Sequence, residues 1–269
     1  MTALPGRLVL LGTPVAHSLS PAFQNAGLRA AGIALTYEAL DVSPAALADV
    51  LRGLVRQRAA GNVTVPHKEA AARLCDRLTP LASRVGAVNT FWTDDDGALV
   101  GDNTDVHGAE ALARAAFGRT PANVRVALLG AGGSAAAVLA AAERWPGCYV
   151  ALFARTAERA TALAARFRGV AHVEPTLEDA LRDARLVVNA TPVGLANDAM
   201  PVPPARLPRR AAVMDLVYRR GETAWVRAAR ARGLRGCDGL TMLVEQGALA
   251  FERWFGVAPD REAMWSAVR

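Results

Sequence analysis

Residues 126 to 142, "VALLGAGGSAAAVLAAA", constrain the fold more than any other stretch of the 269-residue chain. An apolar strand-like run enters Gly130, Gly132 and Gly133 directly, Ala135 takes the third small position, and an alanine-rich helical window follows. That order is the opening of a βαβ unit of the dinucleotide-binding type. The glycines allow a tight turn and close backbone approach to a pyrophosphate, whose charge meets the free amides at the start of the helix. A glycine-rich loop also occurs without a ligand; the strand before it and the helix after it favour the cofactor.

The end of the next strand selects which cofactor. NAD sites place an acidic side chain there for the ribose hydroxyls. Here it reads "FARTAERA", in which Arg155 and Arg159 offer guanidinium groups and Thr156 a hydroxyl to a 2′-phosphate. Two surface arginines on a helix would look the same in an arginine-rich chain, but the position favours NADP over NAD.

Apolar runs alternate with alanine-rich helical windows along the whole chain, the rhythm of βαβ units around mostly parallel sheets. Strands are expected at "RLVLLG" (7–12), "LTYEAL" (35–40), "GNVTV" (61–65) and "AVNTFWT" (87–93), and later at "YVALFA", "LVVNAT" and "AVMDLVY". Ser20-Pro21 reads as a helix start with serine as the cap. A helix is expected from about Val106, and the polar "GRTPANV" at 118–124 reads as a linker between lobes. The length suits two domains. Three widely spaced cysteines, Cys75, Cys148 and Cys237, provide neither a disulfide framework nor a CxxC metal site. No metal site is expected from the four histidines either. The early apolar run is too short for a membrane span and lacks a signal-peptide layout, so the expected compartment is the cytoplasm. The net charge of +6 comes from arginines scattered among acidic residues, which speaks for solvated helix faces or an anionic small substrate rather than nucleic acid.

Of the 31 lysine and arginine residues, one is lysine: Lys68, inside "GNVTVPHK". Polar residues also gather at "AHSLSP" (Ser18, Ser20), in "GNVTVPHK" itself (Asn62, Thr64), at "AVNT" with "GDNTD" (Asn89, Asp105), and at "VEQGA" (Gln246). Singly, such residues cap helices and satisfy turns. Together, near strand ends, they suit a hydroxylated small molecule at the carboxyl edge of a sheet. Carbonyl reduction needs a proton delivered to oxygen as negative charge develops there. Arginine cannot release one, whereas a lysine with a carboxylate beside it can.

"GTPVAHSLSP", "GNVTVPHK", "GAVNT", "GDNTD", "GAGG", "ART..R", "NATPVG", "DLVY" and "DGLTMLVEQGA" stand in the order found in the shikimate dehydrogenase family, which the chain resembles over nearly its whole length. The resemblance implies an α/β fold with an N-terminal α/β substrate domain (1–105), a Rossmann-like NADP-binding domain (106–239) and C-terminal helices (240–269) packing back on the first. It implies NADPH-dependent reduction of 3-dehydroshikimate to shikimate by a monomer or homodimer, with Lys68 and Asp105 as the catalytic pair. Ser18, Ser20, Asn62, Thr64, Asn89, Tyr218 and Gln246 fall at substrate positions. Gly130, Ala131, Gly132, Gly133, Ser134, Ala154, Arg155, Thr156, Arg159, Thr191, Leu216 and Gly239 fall at cofactor positions.

Four residues depart from the family's usual pattern. Gln24 stands where histidine is common, Val106 and Thr241 where glycine is usual, and Ala154 where asparagine is expected. Ala154 removes an amide near the adenosine end; Val106 and Thr241 add bulk. Two alternatives therefore stay open at this level: a relative acting on quinate or an amino analogue, and an NADP-binding regulator without catalysis.

Overall fold

The computed structural model describes residues 4–219 and 221–269. The chain divides into two compact units, one of residues up to Thr104 together with Val244–Arg269, the other of Asp105–Leu243. The first contains β1 (Arg7–Gly12), α1 (Ser20–Ala30), β2 (Tyr37–Asp41), α2 (Leu47–Arg56), β3 (Ala59–Val63), α3 (Lys68–Leu74), β4 (Arg77–Leu78), α4 (Pro80–Val85), β5 (Thr90–Thr93) and β6 (Leu99–Asp102). The second contains α5 (Asp105–Phe117), β7 (Arg125–Leu129), α6 (Gly133–Ala142), β8 (Tyr149–Phe153), α7 (Ala157–Arg166), β9 (Ala171–Val173), α8 (Leu177–Leu181), β10 (Leu186–Asn189), β11 (Ala212–Asp215), α9 (Ala224–Ala231) and β12 (Arg235–Cys237). Then α10 (Leu240–Phe255) begins among residues of the second unit and ends in the first, where α11 (Arg261–Ser266) closes the chain.

The first sheet has the order β2-β1-β3-β5-β6-β4. Its β1, β2 and β3 are parallel, while β5 runs antiparallel to both β3 and β6. The ends of β1, β3 and β6 and the start of β5 therefore share one edge. The alternation of side chains along β1 explains why its "LVLL" (8–11) is apolar without a break. Leu8 and Leu10 pack with Ala250, Phe251 and Trp254 of α10 on one face, and Val9 and Leu11 with Leu47, Leu51 and Leu54 of α2 on the other. The three leucines lie on one stripe of α2 at a spacing of four and three residues. Full burial of each is worth about 1.5–3 kcal/mol.

The second sheet has the order β12-β11-β10-β7-β8-β9. All five pairings are parallel. In the order of its own strands this is the mirror reading of 3-2-1-4-5-6, the doubly wound arrangement whose switch point lies between β7 and β10. Every residue of α6 from Ala135 to Ala142 is buried, which a helix of alanine, valine and leucine tolerates on all sides. Among the described residues, no helix is long and apolar enough to cross a membrane.

Two expectations are corrected. Ser20 is the first residue of α1 rather than its cap; the cap position is Leu19, and Ser18 Oγ accepts the Ser20 amide at 3.2 Å. The polar segment 118–124 is an internal connection of the second unit, because α5 before it packs on α6, β11 and β12. The strands β4, β6, β9 and β12 are additions to the expected set; with only two to four residues each, they are too short to show a pattern of two against background.

Candidate active site

Within the first unit, the sequence-singled residues collect on the shared edge of the sheet. Ser18 and Ser20 follow β1, and Thr64 follows β3, with its amide donating to Leu11 O at 2.8 Å. Lys68 is the first residue of α3 and is half-buried. Its carbonyl accepts the amide of Val88 at 2.9 Å, which ties the start of α3 to the residue before Asn89.

Asn89 is the hub. Its Oδ1 accepts the backbone amide of Thr104 at 2.7 Å, and its Nδ2 donates to Thr104 Oγ1 at 2.9 Å and to Gln246 Oε1 at 3.0 Å. All three residues are buried, so a free amide atom there would cost about 1–3 kcal/mol. Asn62 is placed behind this group. Its Oδ1 accepts from Tyr37 Oη at 2.8 Å, and its Nδ2 donates to the Asn89 carbonyl at 3.1 Å.

Two residues that sequence reasoning passed over hold the same edge. Asp102, almost wholly buried, accepts from Thr79 Oγ1, from the Asn103 amide at 2.8 Å and from Arg253 Nε of α10 at 3.0 Å. Thr104 links Asn89 to Gln246 and precedes Asp105, the buried first residue of α5. Both lie inside the quoted "GDNTD", which was the available signal.

In the second unit, the cofactor-position residues follow the ends of the parallel strands: Gly130 after β7, Ala154 and Arg155 after β8, Thr191 after β10, Leu216 after β11, and Gly239 after β12; Tyr218, a substrate position, also follows β11. Gly130 has φ +110°, and a Cβ there would stand 2.8 Å from Ala190 O, so its own backbone requires glycine. Gly132 differs: a Cβ there would meet nothing within 4 Å. The chain's own packing therefore leaves space at the N-terminus of α6, where unpaired backbone amides attract a phosphate. Arg155, Thr156 and Arg159 are exposed. Among the described residues neither guanidinium has a hydrogen-bond or ion-pair partner, so both are available to an anion. These residues fit a 2′-phosphorylated dinucleotide.

Buried acids mark the far half of this sheet. Asp215, 1% exposed, accepts from Asn189 Nδ2 at 2.8 Å, Val217 N at 3.1 Å and Thr223 Oγ1 at 2.9 Å. Burial nevertheless pushes its carboxyl up to about 6, because desolvation outweighs the three donors and Asp238 nearby adds repulsion. Burial raises the Asp238 carboxyl as well.

Of the four departures, Gln24 is fully buried, with Nε2 donating to Gly247 O of α10 at 3.0 Å while its Oε1 has no hydrogen-bond partner among the described residues. Val106 packs without exposure in α5, Ala154 is half-buried, and the Thr241 hydroxyl lies 3.4 Å from Cys237 Sγ.

Residues 10–91 match the family model described as the shikimate dehydrogenase substrate binding domain, and residues 239–269 the shikimate 5′-dehydrogenase C-terminal domain. A Thermus thermophilus protein named shikimate dehydrogenase (NADP(+)) is 45% identical over 264 residues, spanning 98% of this chain and 97% of its own. The crystal structure of a shikimate 5-dehydrogenase from Thermus thermophilus, in complex with NADP(H) and shikimate, has a TM-score of 0.87 and 42% identity, with 98% of each chain covered. That of shikimate dehydrogenase from Aquifex aeolicus has a TM-score of 0.90 at 33% identity, over 98% of this chain and 97% of the other.

Proposed function

The chain belongs to the shikimate dehydrogenase family, and we propose that it catalyses the reversible, NADPH-dependent reduction of 3-dehydroshikimate to shikimate, a step of aromatic amino acid biosynthesis, with Lys68 and Asp105 as its proton-transfer pair. The observation that carries this reading is the near-complete coverage at 45% identity, joined to the one lysine of the chain opening α3 on the same sheet edge as Asn89, Thr104 and Gln246.

Bound NADPH supplies the hydride. The chain's own residues handle the proton and the orientation. As the C–H bond forms, the carbonyl π electrons move to oxygen, and the Lys68 ammonium gives that oxygen a proton, leaving a neutral amine that regains its proton from solvent. Asp105 is the carboxylate assigned to Lys68 in that transfer. In the oxidative direction the amine takes the hydroxyl proton. Ser18, Ser20, Thr64, Asn89, Gln246 and Tyr218 offer neutral donors and acceptors to the substrate's hydroxyl and carboxylate groups. Asn62 serves through Asn89, whose carbonyl it holds. Arg155 and Arg159 take the 2′-phosphate, with Thr156 beside them, and the loop Gly130, Ala131, Gly132, Gly133 and Ser134 takes the pyrophosphate.

The sequence bounds 1–105, 106–239 and 240–269 remain our domain assignment. We place the enzyme in the cytoplasm as a monomer or homodimer, with no nucleic-acid partner. Many of its arginines are already paired with carboxylates, as in Arg7 with Glu38 and Arg125 with Glu174. The test is the change in absorbance at 340 nm with shikimate and quinate crossed against NADP and NAD. Shikimate with NADP is expected to have the highest kcat/KM; a preference for quinate or for NAD, or no turnover in any of the four, would overturn the proposal.

A further inference from the structure

One carboxylate in the second unit is connected to more loop backbone than its place at the end of a strand requires. Asp215 ends β11, and its Oδ1 accepts the amide of Val217, which fixes the turn carrying Leu216 and Tyr218. The same oxygen accepts from Asn189 Nδ2, at the end of the neighbouring strand β10. Asn189 is itself fully spent on the next loop: Nδ2 also donates to Val193 O at 3.1 Å, and Oδ1 accepts from Thr191 N at 3.1 Å and Thr191 Oγ1 at 2.6 Å. The second oxygen of Asp215 accepts from Thr223 Oγ1, the hydroxyl that caps α9 by accepting the Val226 amide. Asp238, after β12, accepts the Thr223 and Leu240 amides at 3.3 and 3.2 Å.

In a doubly wound sheet each half takes one nucleotide of the cofactor. The first half, β7 to β9, carries the glycine loop and Arg155, the adenosine side; the second, β10 to β12, faces the other nucleotide. On that basis we propose that Asp215 is a positioning residue for the nicotinamide side of the cofactor site, acting through Asn189 on the Thr191 loop and through Val217 on the Leu216–Tyr218 turn. The inference rests on the NADP reading given above. A carboxylate suits the task because it accepts from donors on two loops and a helix cap at once, with no proton of its own to place. A buried charge is a poor device for stability alone, whereas three directed acceptor bonds hold two turns in register.

A structural role alone would disturb both ends of the cofactor equally; a positioning role would not. The experiment is direct titration of the purified full-length protein with NADP+ and, separately, with adenosine 2′,5′-bisphosphate, which carries only the adenosine side. The variants are Asp215→Ala, which removes every acceptor, and Asp215→Asn, whose remaining oxygen still accepts from Asn189 and Val217 while Thr223 Oγ turns to accept. D215A is expected to bind NADP+ at least about tenfold more weakly, with the bisphosphate changed less than about threefold, and D215N to stay within about threefold of the native protein for both. If NADP+ binding by D215A is unchanged, or if both ligands weaken in parallel, the positioning role is overturned. Should D215A fail to fold by circular dichroism, Asn189→Ala carries the same comparison, with the same outcomes expected and excluded. If the native protein itself does not bind the bisphosphate, it is the cofactor reading that fails, and this inference with it.

Discussion

The side-chain oxygen of Asn89 accepts the backbone amide of Thr104 at 2.7 Å. One buried side chain thereby fixes the residue that leads into Asp105, while its amide holds Gln246 on α10. Asn89→Ala leaves the Thr104 amide and the Gln246 side chain without these partners. The expected cost is about 2–4 kcal/mol of stability, taken as one to two unsatisfied groups, with a KM for shikimate at least about tenfold higher, equivalent to about 1.4 kcal/mol. Denaturant titration and steady-state kinetics check both; a variant unchanged in each would remove Asn89 from the site.

Arg155 follows β8 with no partner of its own among the described residues. A charge-assisted hydrogen bond to the 2′-phosphate contributes about 1.5–3 kcal/mol. Arg155→Ala is therefore expected to raise the KM for NADPH by about 10- to 100-fold and to leave that for NADH within about threefold. An equal effect on the two cofactors would take phosphate recognition away from this residue.

The buried Asp215 carboxyl has consequences for stability against pH. Its folded value, about 6, lies above the ordinary 3.8. The folded state therefore holds the proton more tightly than the unfolded chain, so the contribution of this group is greatest below about 3.8 and is lost as pH rises through about 6. The groups facing it are the donors of Asn189, Val217 and Thr223 and the acid Asp238. The loss is at most about 3 kcal/mol. Asp215→Asn does not titrate, so the difference in Tm, variant minus native, is expected to increase by several degrees between pH 4.5 and pH 7.5. A difference that is flat or decreases with pH would mean that the carboxylate is not destabilised by its surroundings.

Much of this was legible because the chain states it locally. The span of β1 and of α10 can be read residue by residue, since unbroken apolar runs and three- to four-residue periodicity are properties of a short window. The glycine loop and the arginines after β8 are likewise contiguous. What was hidden depends on residues far apart. Asp102 matters because Arg253 of α10 reaches it, and Asn62 because Tyr37 and Asn89 take both ends of its amide. Neither pairing leaves a pattern in a window of ten residues. Ser20 looked like a cap because serine before proline usually is one, yet Ser18 provides the oxygen that meets its amide. The short strands β4, β9 and β12 exist because neighbours offer them a ladder, which no propensity of two or three residues encodes.

Proton transfer by Lys68 is tested most directly by the turnover of Lys68→Arg, a variant that keeps the positive charge and cannot act as a base. With shikimate and NADP both saturating, and both shown by titration to bind within about threefold of the native affinity, kcat is expected to fall by about 10²–10⁴-fold. A kcat within about threefold of the native value under those conditions would contradict the assignment.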